Sequence, residues 1–376
     1  MIQNIPPLFS LFAGMGLFLI LLLGFRLLSL EMERKSAPPL EDDEIGKIEL
    51  ILLNSFEEAK DVRSFVFAKA NGKNFSSFKA GQFVSFQIGN DPRTLRSYSI
   101  SSSPETTRSL QVSVKALPGG VGSHWMHSLK PGDKVLAFSP SGLFVDEEHP
   151  TSPKIYVAGG IGITPFVSML LGKATGRDLA EVALFYGMRT TKDMAFHDLL
   201  VFLSKRMPNF KYFPILSEPD PEWADDKGFI TLAFINSKIS FLPDHRFFFC
   251  GPPIMTDTIV ASLKTLGISG DRIHTEKFVS PVTFDRSALQ SRKLKLTWNG
   301  TKVDYQGTET ILEGLEKANI SHPFACRVGV CGSCKCKVTG KFSMITDAGL
   351  TPEEKKSGLC LACVAFPEED MEIRVT

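Results

Sequence analysis

The sequence predicts a multidomain protein: a single N-terminal transmembrane helix, an antiparallel β-barrel, an α/β doubly wound domain and a small cysteine-rich domain at the C-terminus. Three observations carry this. From Leu8 to Leu30 the chain is apolar apart from Ser10, Arg26 and Ser29, long enough to span a hydrocarbon core. Short β-like runs punctuated by Gly and Pro fill the stretch to Glu148, after which strands alternate with helical segments. All but one of the seven cysteines fall after Phe324. At 376 residues the chain also exceeds a single hydrophobic core.

The apolar run reads as an anchor over residues 1–30. A cleaved signal peptide needs a basic start and a small-residue cleavage site, yet Met1 to Pro7 contains no Lys or Arg and Leu27 to Glu31 matches no such site. Arg26, Arg34 and Lys35 follow the run, so the positive-inside bias places the rest of the chain on the cytoplasmic side. The expectation is a single-pass membrane protein in contact with lipid. Residues 31–44, with Pro38-Pro39 and the acidic Glu41-Asp42-Asp43-Glu44, read as a linker. The net charge of +1 gives no electrostatic footprint for nucleic acid.

Residues 45–148 form the barrel, with strands expected at Ile48–Leu53, Val62–Phe67, Phe83–Ile88, Leu95–Ile100, Leu110–Lys115 and Lys134–Phe138. Arg96-Ser97-Tyr98-Ser99 puts an arginine and a tyrosine on one strand face and Ser99 on the other. A flavin needs such groups: a cation for its phosphate, an aromatic ring against the isoalloxazine and a hydroxyl donor near N5. Gly119-Gly120-Val121-Gly122-Ser123 then opens a short helix, offering backbone N–H groups to a pyrophosphate. His124 and His127 read as packing residues, since no partner with metal spacing accompanies them.

These motifs, in this order behind a β-rich segment, resemble the FAD-binding domain of the ferredoxin–NADP⁺ reductase superfamily. The resemblance implies FAD, with FMN as the alternative. It implies that Arg96, Tyr98 and Ser99 bind the flavin, Ser99 acting at the reacting end, and that Gly120, Gly122 and Ser123 hold the phosphates.

Residues 149–278 form the doubly wound domain. The apolar strand Lys154–Ala158 leads into Gly159-Gly160-Ile161-Gly162-Ile163-Thr164-Pro165, a phosphate-cradling turn with proline in the first helical turn. Pro165 stands where the dinucleotide fingerprint has its third glycine. Gly-Gly-x-Gly-x-Thr-Pro resembles the start of the pyridine-nucleotide domain in the same superfamily, which implies nucleotide contacts at Gly160, Gly162, Thr164 and Pro165. Later strands end in Gly187-Met188-Arg189 and Cys250-Gly251-Pro252-Pro253, with helices expected at Asp193–Arg206 and Ile254–Leu266. The resemblance places Cys250 and Gly251 beside the nicotinamide, Cys250 as a positioning residue in hydride transfer. It also makes Phe278, closing His274-Thr275-Glu276-Lys277-Phe278, a neighbour of the flavin. Glu218 stands where NADPH-preferring relatives carry an arginine, so NADH is the expected donor, although Arg189 argues for NADPH.

After a linker at residues 279–291, residues 292–376 carry Cys326, Cys331 and Cys334 in Cys-x4-Cys-x2-Cys spacing, the pattern of a [2Fe–2S] cluster. Zinc sites usually pair Cys-x2-Cys with a second such pair or with histidines, and only Cys360 and Cys363 could complete one here. A disulfide framework fits poorly with so uneven a distribution. Alternation puts Cys336 inward on a strand. The fourth ligand is Cys360 or Cys363. The stretch resembles the plant-type ferredoxin family, of β-grasp fold, whose last ligand follows a Leu-Ala pair; Leu361-Ala362-Cys363 therefore implies Cys363.

The domain order resembles oxygenase-type reductases with a C-terminal ferredoxin. It implies electron flow from NADH through FAD to the cluster and on, singly, to an acceptor protein such as a membrane-associated oxygenase, hydroxylase or desaturase. Two alternatives remain. A respiratory NADH:quinone reductase component would carry the ferredoxin before the flavin domain, and a redox sensor would hold a cluster without turnover.

Overall fold

The computed structural model describes residues 47–89, 94–147, 150–175, 180–239, 245–278, 293–324, 326–347 and 349–375. Lys47–Ala59 (β1) and Val62–Lys69 (β2) make a hairpin whose two-residue turn sets Asp61 at φ 61°. β1 runs past the expected end at Leu53 because register shifts at Leu52/Asn54 and Glu57/Ala59 carry the polar stretch along in the ladder. Phe83–Gln87 (β3), Leu95–Ser99 (β4), Leu110–Lys115 (β5), the helix Val121–Ser128 (α1) and Lys134–Phe138 (β6) complete this module. Its sheet runs β4-β3-β6-β1-β2-β5, and Phe65, Phe67, Phe86, Leu110 and Val112 are buried in its core.

The expected closed barrel is corrected. The sheet is open: among the described residues β4 and β5 share no ladder, and the chain just past β4 meets β5 at the isolated bridge Ile100↔Val112, the Ser101 N–H to Gln111 carbonyl bond of 2.8 Å and the Ser101–Ser113 hydroxyl contact of 2.8 Å. Toward the start of β4 the ladder does not continue, and the N-terminus of α1 packs there, Gly122 lying against Arg96 and Tyr98.

The second module has Lys154–Gly159 (β7), Thr164–Thr175 (α2), Val182–Met188 (β8), His197–Arg206 (α3), Phe210–Leu216 (β9), Asp226–Lys227 (β10), Leu232–Lys238 (α4), Arg246–Cys250 (β11), Pro253–Thr265 (α5) and Ile273–Glu276 (β12). The parallel sheet runs β10-β9-β8-β7-β11-β12, so the strand order reverses between β7 and β11. Alternate residues serve two cores: Tyr156, Leu184 and Phe248 pack with Phe166 of α2 and Leu200 of α3. Ile155, Phe185 and Phe247 pack with Ile235 of α4 and Ile259 of α5. α3 starts later than the expected Asp193 because Thr190 and Asp193 cap a separate turn and Phe196 takes φ 61°. A buried ion pair of 3.0 Å between Lys173 on α2 and Asp146, which also accepts from the Tyr156 hydroxyl, ties this module to the end of the first.

The third module has Lys293–Trp298 (β13), Thr301–Gln306 (β14), Ile311–Lys317 (α6), Lys335–Thr339 (β15), Phe342–Met344 (β16), Pro352–Lys356 (α7), Leu359–Leu361 (β17), Ala365–Pro367 (β18) and Met371–Val375 (β19). A mixed sheet, β14-β13-β19-β15-β17, pairs β13 and β19 in parallel, and Ile311, Leu312 and Leu315 of α6 join Leu296, Trp298 and Val303 in its core. Thr310 and Glu313 start α6 as a capping box.

The expected transmembrane helix is also corrected. No helix of the described residues is long and apolar enough to cross a membrane. The longest, α2 and α5, have 12 and 13 residues, short of the ~20 that a span requires. The run Leu8–Leu30 and the linkers at residues 31–44 and 279–291 lie outside the described residues. The anchor, the single-pass placement with cytoplasmic domains and the lipid contact are therefore without support and are withdrawn.

Candidate functional site

β4 organises the first part of the site. Arg96 and Tyr98 lie on the face against which the N-terminus of α1 packs, so closely that a Cβ on Gly122 would fall 2.4 Å from Arg96 Cγ and 2.9 Å from the Tyr98 hydroxyl. Only glycine allows that approach. Gly120, Gly122 and Ser123 are thereby brought to the same place as Arg96 and Tyr98. The Ser123 hydroxyl donates to the Gly120 carbonyl at 3.0 Å and accepts from Leu117 N–H at 3.1 Å, fixing the turn. This is a cradle of cation, phenol and helix N-terminus that fits a flavin and its phosphates. His127 bonds the Val114 carbonyl at 2.9 Å and packs on Phe65, a packing residue as expected.

The other face of β4 carries Leu95, Ser97 and Ser99, with Ser97 bonded to Ser85 of β3 at 2.8 Å. At one end the buried Ser99 hydroxyl reaches Glu276 at 3.4 Å, across to the last residue of β12. Glu276 pairs in register with Cys250, and Cys250 with Ala158 of β7. The three groups thus meet at the carboxyl ends of the strands flanking the switch point, where ligands bind in such sheets. Burial of the Glu276 carboxyl, opposed by the Ser99 hydrogen bond, pushes it up to about 8. Burial, with the charge of Glu276, pushes the Cys250 thiol well above its usual range. Phe278 lies two residues beyond and is half exposed.

The glycine turn after β7 closes against the same point. A Cβ on Gly162 would sit 2.2 Å from the Cys250 carbonyl oxygen, and one on Gly159 would sit 2.5 Å from Pro252 Cδ. Gly160, Gly162 and Gly251 are thus adjacent, while Thr164 and Pro165 are buried where α2 begins, the Thr164 hydroxyl donating to the Ile161 carbonyl at 3.1 Å. Arg189 lies just past β8, two residues beyond Gly187, which pairs with Gly159. Its guanidinium is 3.9 Å from the Glu218 carboxylate, both side chains exposed, and Glu218 N–H donates to its carbonyl at 2.8 Å.

In the third module Cys326, Cys331, Cys334 and Cys363 are buried. The Cys334 and Cys363 sulfurs are 3.3 Å apart. Hydrogen bonds from the Cys331 and Cys363 thiols hold the Cys326 thiol far below its usual range. Val328 and Ser333 N–H groups approach the Cys326 and Cys331 sulfurs at 3.5 and 3.4 Å, with Gly329 and Gly332 in left-handed geometry bending the loop. Among the described residues no group of three or more His, Cys, Asp or Glu is gathered as around one metal ion. Cys363 faces both Cys334 and Cys326, and Cys326 also meets Cys331, so the four thiols gather in one place and fit the four-thiolate set that a binuclear cluster takes. Of the two candidates for a fourth ligand, Cys363 faces Cys334, whereas Cys360 faces Cys336 at 3.4 Å across β15 and β17.

Two groups escaped sequence reasoning. Glu276 sits inside a motif singled out for Phe278, yet its meeting with Ser99 depends on how two modules pack. Leu95 shares the face of Ser99 by strand alternation and joins Cys326 and Cys331 in one apolar cluster; its position on the strand was legible, its neighbour was not.

Three family models match parts of the chain. Residues 49–145 match the oxidoreductase FAD-binding domain, residues 156–261 the oxidoreductase NAD-binding domain and residues 296–368 the 2Fe-2S iron-sulfur cluster binding domain. The chain is 27% identical over 351 residues to the glycine betaine monooxygenase reductase subunit of Chromohalobacter salexigens, covering 87% of this chain and 95% of the relative. Among solved structures, phthalate dioxygenase reductase, described as modular for electron transfer from pyridine nucleotides to [2Fe-2S], superposes at a TM-score of 0.56. It is 26% identical, covering 88% of this chain and 97% of that one. An intact type IV self-sufficient cytochrome P450 monooxygenase shares the fold at a TM-score of 0.69 and 21% identity, over 91% of this chain; the chain spans 44% of that larger protein.

Proposed function

We propose that this chain, an oxidoreductase that passes electrons from NAD(P)H through FAD to a [2Fe–2S] cluster, is the reductase partner of an oxygenase. The carrying observation is β4, whose one face meets the nucleotide module at Ser99 and the cysteine loop at Leu95. Four residue steps along the strand separate them, about 13 Å. Entry and exit of electrons thus lie at the two ends of one flavin-binding strand. The oxygenase as acceptor is supported by the named relative, a monooxygenase reductase subunit covered over 95% of its length.

In this reading the domains run over residues 45–148, 149–278 and 292–376. Bound FAD supplies the change from two-electron hydride chemistry to single-electron transfer. Arg96 neutralises its phosphate, Tyr98 covers the ring, and the α1 N-terminus with Gly120, Gly122 and Ser123 cradles the pyrophosphate. Gly160, Gly162, Thr164 and Pro165 shape the turn that admits the dinucleotide, Gly251 lets it approach β11, and Phe278 borders the ring. Cys250, kept protonated by burial, positions the nicotinamide and does not attack it. Ser99 donates at the reacting end, and Glu276, holding its proton near neutral pH, keeps that region uncharged. Cys326, Cys331, Cys334 and Cys363 ligate the cluster. Glu218 beside Arg189 cancels the cation that a 2′-phosphate would seek, so NADH is the donor. Phe229, 77% exposed just past β10, which pairs with the end of β9, offers a flat surface for the adenine.

The test is reconstitution of the holoprotein with an oxygenase component from the same cells. NADH-dependent, substrate-coupled oxygen consumption is expected; an oxygenase that stays oxidised while cytochrome c is reduced would count against the proposed acceptor.

A further inference from the structure

The cysteine loop is seated on the flavin module by a specific stack of side chains. Phe324, two residues before Cys326, packs its ring on Phe138 at the end of β6, with centroids 5.4 Å apart and planes at 49°. On the ferredoxin side the Arg327 guanidinium lies 4.1 Å from the Phe324 ring centroid and pairs with Glu316 of α6. On the flavin side Lys47 sits 5.9 Å from the Phe138 ring. Phe83 and Leu95 complete the apolar cluster with Cys326 and Cys331. Phe138 belongs to the flavin module and Phe324 to the ferredoxin module, so this pair is a join between modules.

We infer that the Phe138–Phe324 contact, braced by Arg327 and Glu316, is a positioning contact that holds the Cys326–Cys331 loop against Leu95 and so sets the rate of electron passage from the flavin strand to the cluster. The inference rests on the proposed electron route. The physical argument is geometric. Neither ring touches a reacting atom, but the pair fixes how closely the loop approaches β4, and electron passage between two sites slows as their separation grows. An aromatic pair at this spacing contributes about 0.5–1.5 kcal/mol beyond its burial, enough to favour one seating over others. The guanidinium stack orients Phe324, and Glu316 in turn orients Arg327.

The experiment compares wild type, Phe138→Ala and Phe138→Leu holoproteins, mixed anaerobically with NADH and followed by absorbance, with iron content and backbone hydrogen exchange measured on the same samples. In Phe138→Ala we expect flavin reduction and ferricyanide turnover unchanged, iron content unchanged and cluster reduction slowed severalfold. Exchange at Val328 and Val330 should rise, which a role confined to the flavin module would not produce. Phe138→Leu, keeping apolar volume without the ring, should fall between the two. Cluster reduction in Phe138→Ala at the wild-type rate, or exchange at Val328 and Val330 unchanged, overturns the inference. Should Phe138→Ala lose iron, Phe138→Leu decides by the same readouts, wild-type behaviour again overturning it. Failure of the wild-type cluster to be reduced by NADH at all would instead overturn the proposed electron route.

Discussion

Glu276→Gln isolates one consequence of how the modules meet. The carboxyl at the end of β12 rises from its usual 4.5 to about 8, through burial partly opposed by Ser99. The folded state therefore holds its proton more tightly than the unfolded chain. That contribution to stability is fully present below about 4.5 and is lost as pH rises through about 8. The difference between 4.5 and about 8 corresponds to about 5 kcal/mol, at ~1.4 kcal/mol for each tenfold in proton affinity. The residue as a whole remains partly exposed, so solvent screening brings the expected loss to about 2–3 kcal/mol. Urea unfolding of wild-type and Glu276→Gln holoproteins at intervals from pH 5 to pH 9 measures it. Wild type should lose that amount relative to the variant, which has no proton to release. A gap between the two that stays constant across this range would refute the reasoning.

Other perturbations probe separate parts. Cys331→Ser should abolish the visible absorption of the cluster and cytochrome c reduction while NADH-to-ferricyanide turnover persists; Cys360→Ser should keep the absorption, because Cys360 faces Cys336. Wild type should show a higher kcat/KM for NADH than for NADPH, and Glu218→Arg should narrow the difference about tenfold, equivalent to ~1.4 kcal/mol. Lys173→Met leaves Asp146 buried without its cation and should cost about 3 kcal/mol in thermal or urea unfolding; replacing Asp146 by Leu as well should restore part of it.

What was legible followed local rules. The strands Leu110–Lys115 and Lys134–Phe138 were read to the residue because alternation and flanking turns agree. The glycine turns at Gly120–Gly122 and Gly159–Gly162 were legible because close backbone approach leaves no room for a side chain. The rest depended on tertiary context. β1 hid its second half in polar residues because bulges break alternation, and α3 lost its first turn to the left-handed Phe196. An open sheet and a closed barrel present the same strand pattern. For this reason the missing β4–β5 ladder could not be foreseen. Among site residues, Arg96, Tyr98 and Gly122 were brought together as their motifs suggested. Arg189 went to Glu218, and the Ser99–Glu276 and Leu95–cysteine meetings arise from module packing that no local spacing encodes.

On the proposed route, electrons enter at the nucleotide face, cross the flavin strand and leave by the cysteine loop. Anaerobic mixing of the holoprotein with one equivalent of NADH, with flavin and cluster absorbance resolved in time, tests it most directly. Flavin bleaching should come first, and cluster reduction should follow at the expense of reduced flavin. Cluster reduction that precedes flavin bleaching, or a cluster that stays oxidised while the flavin is fully reduced, would contradict it.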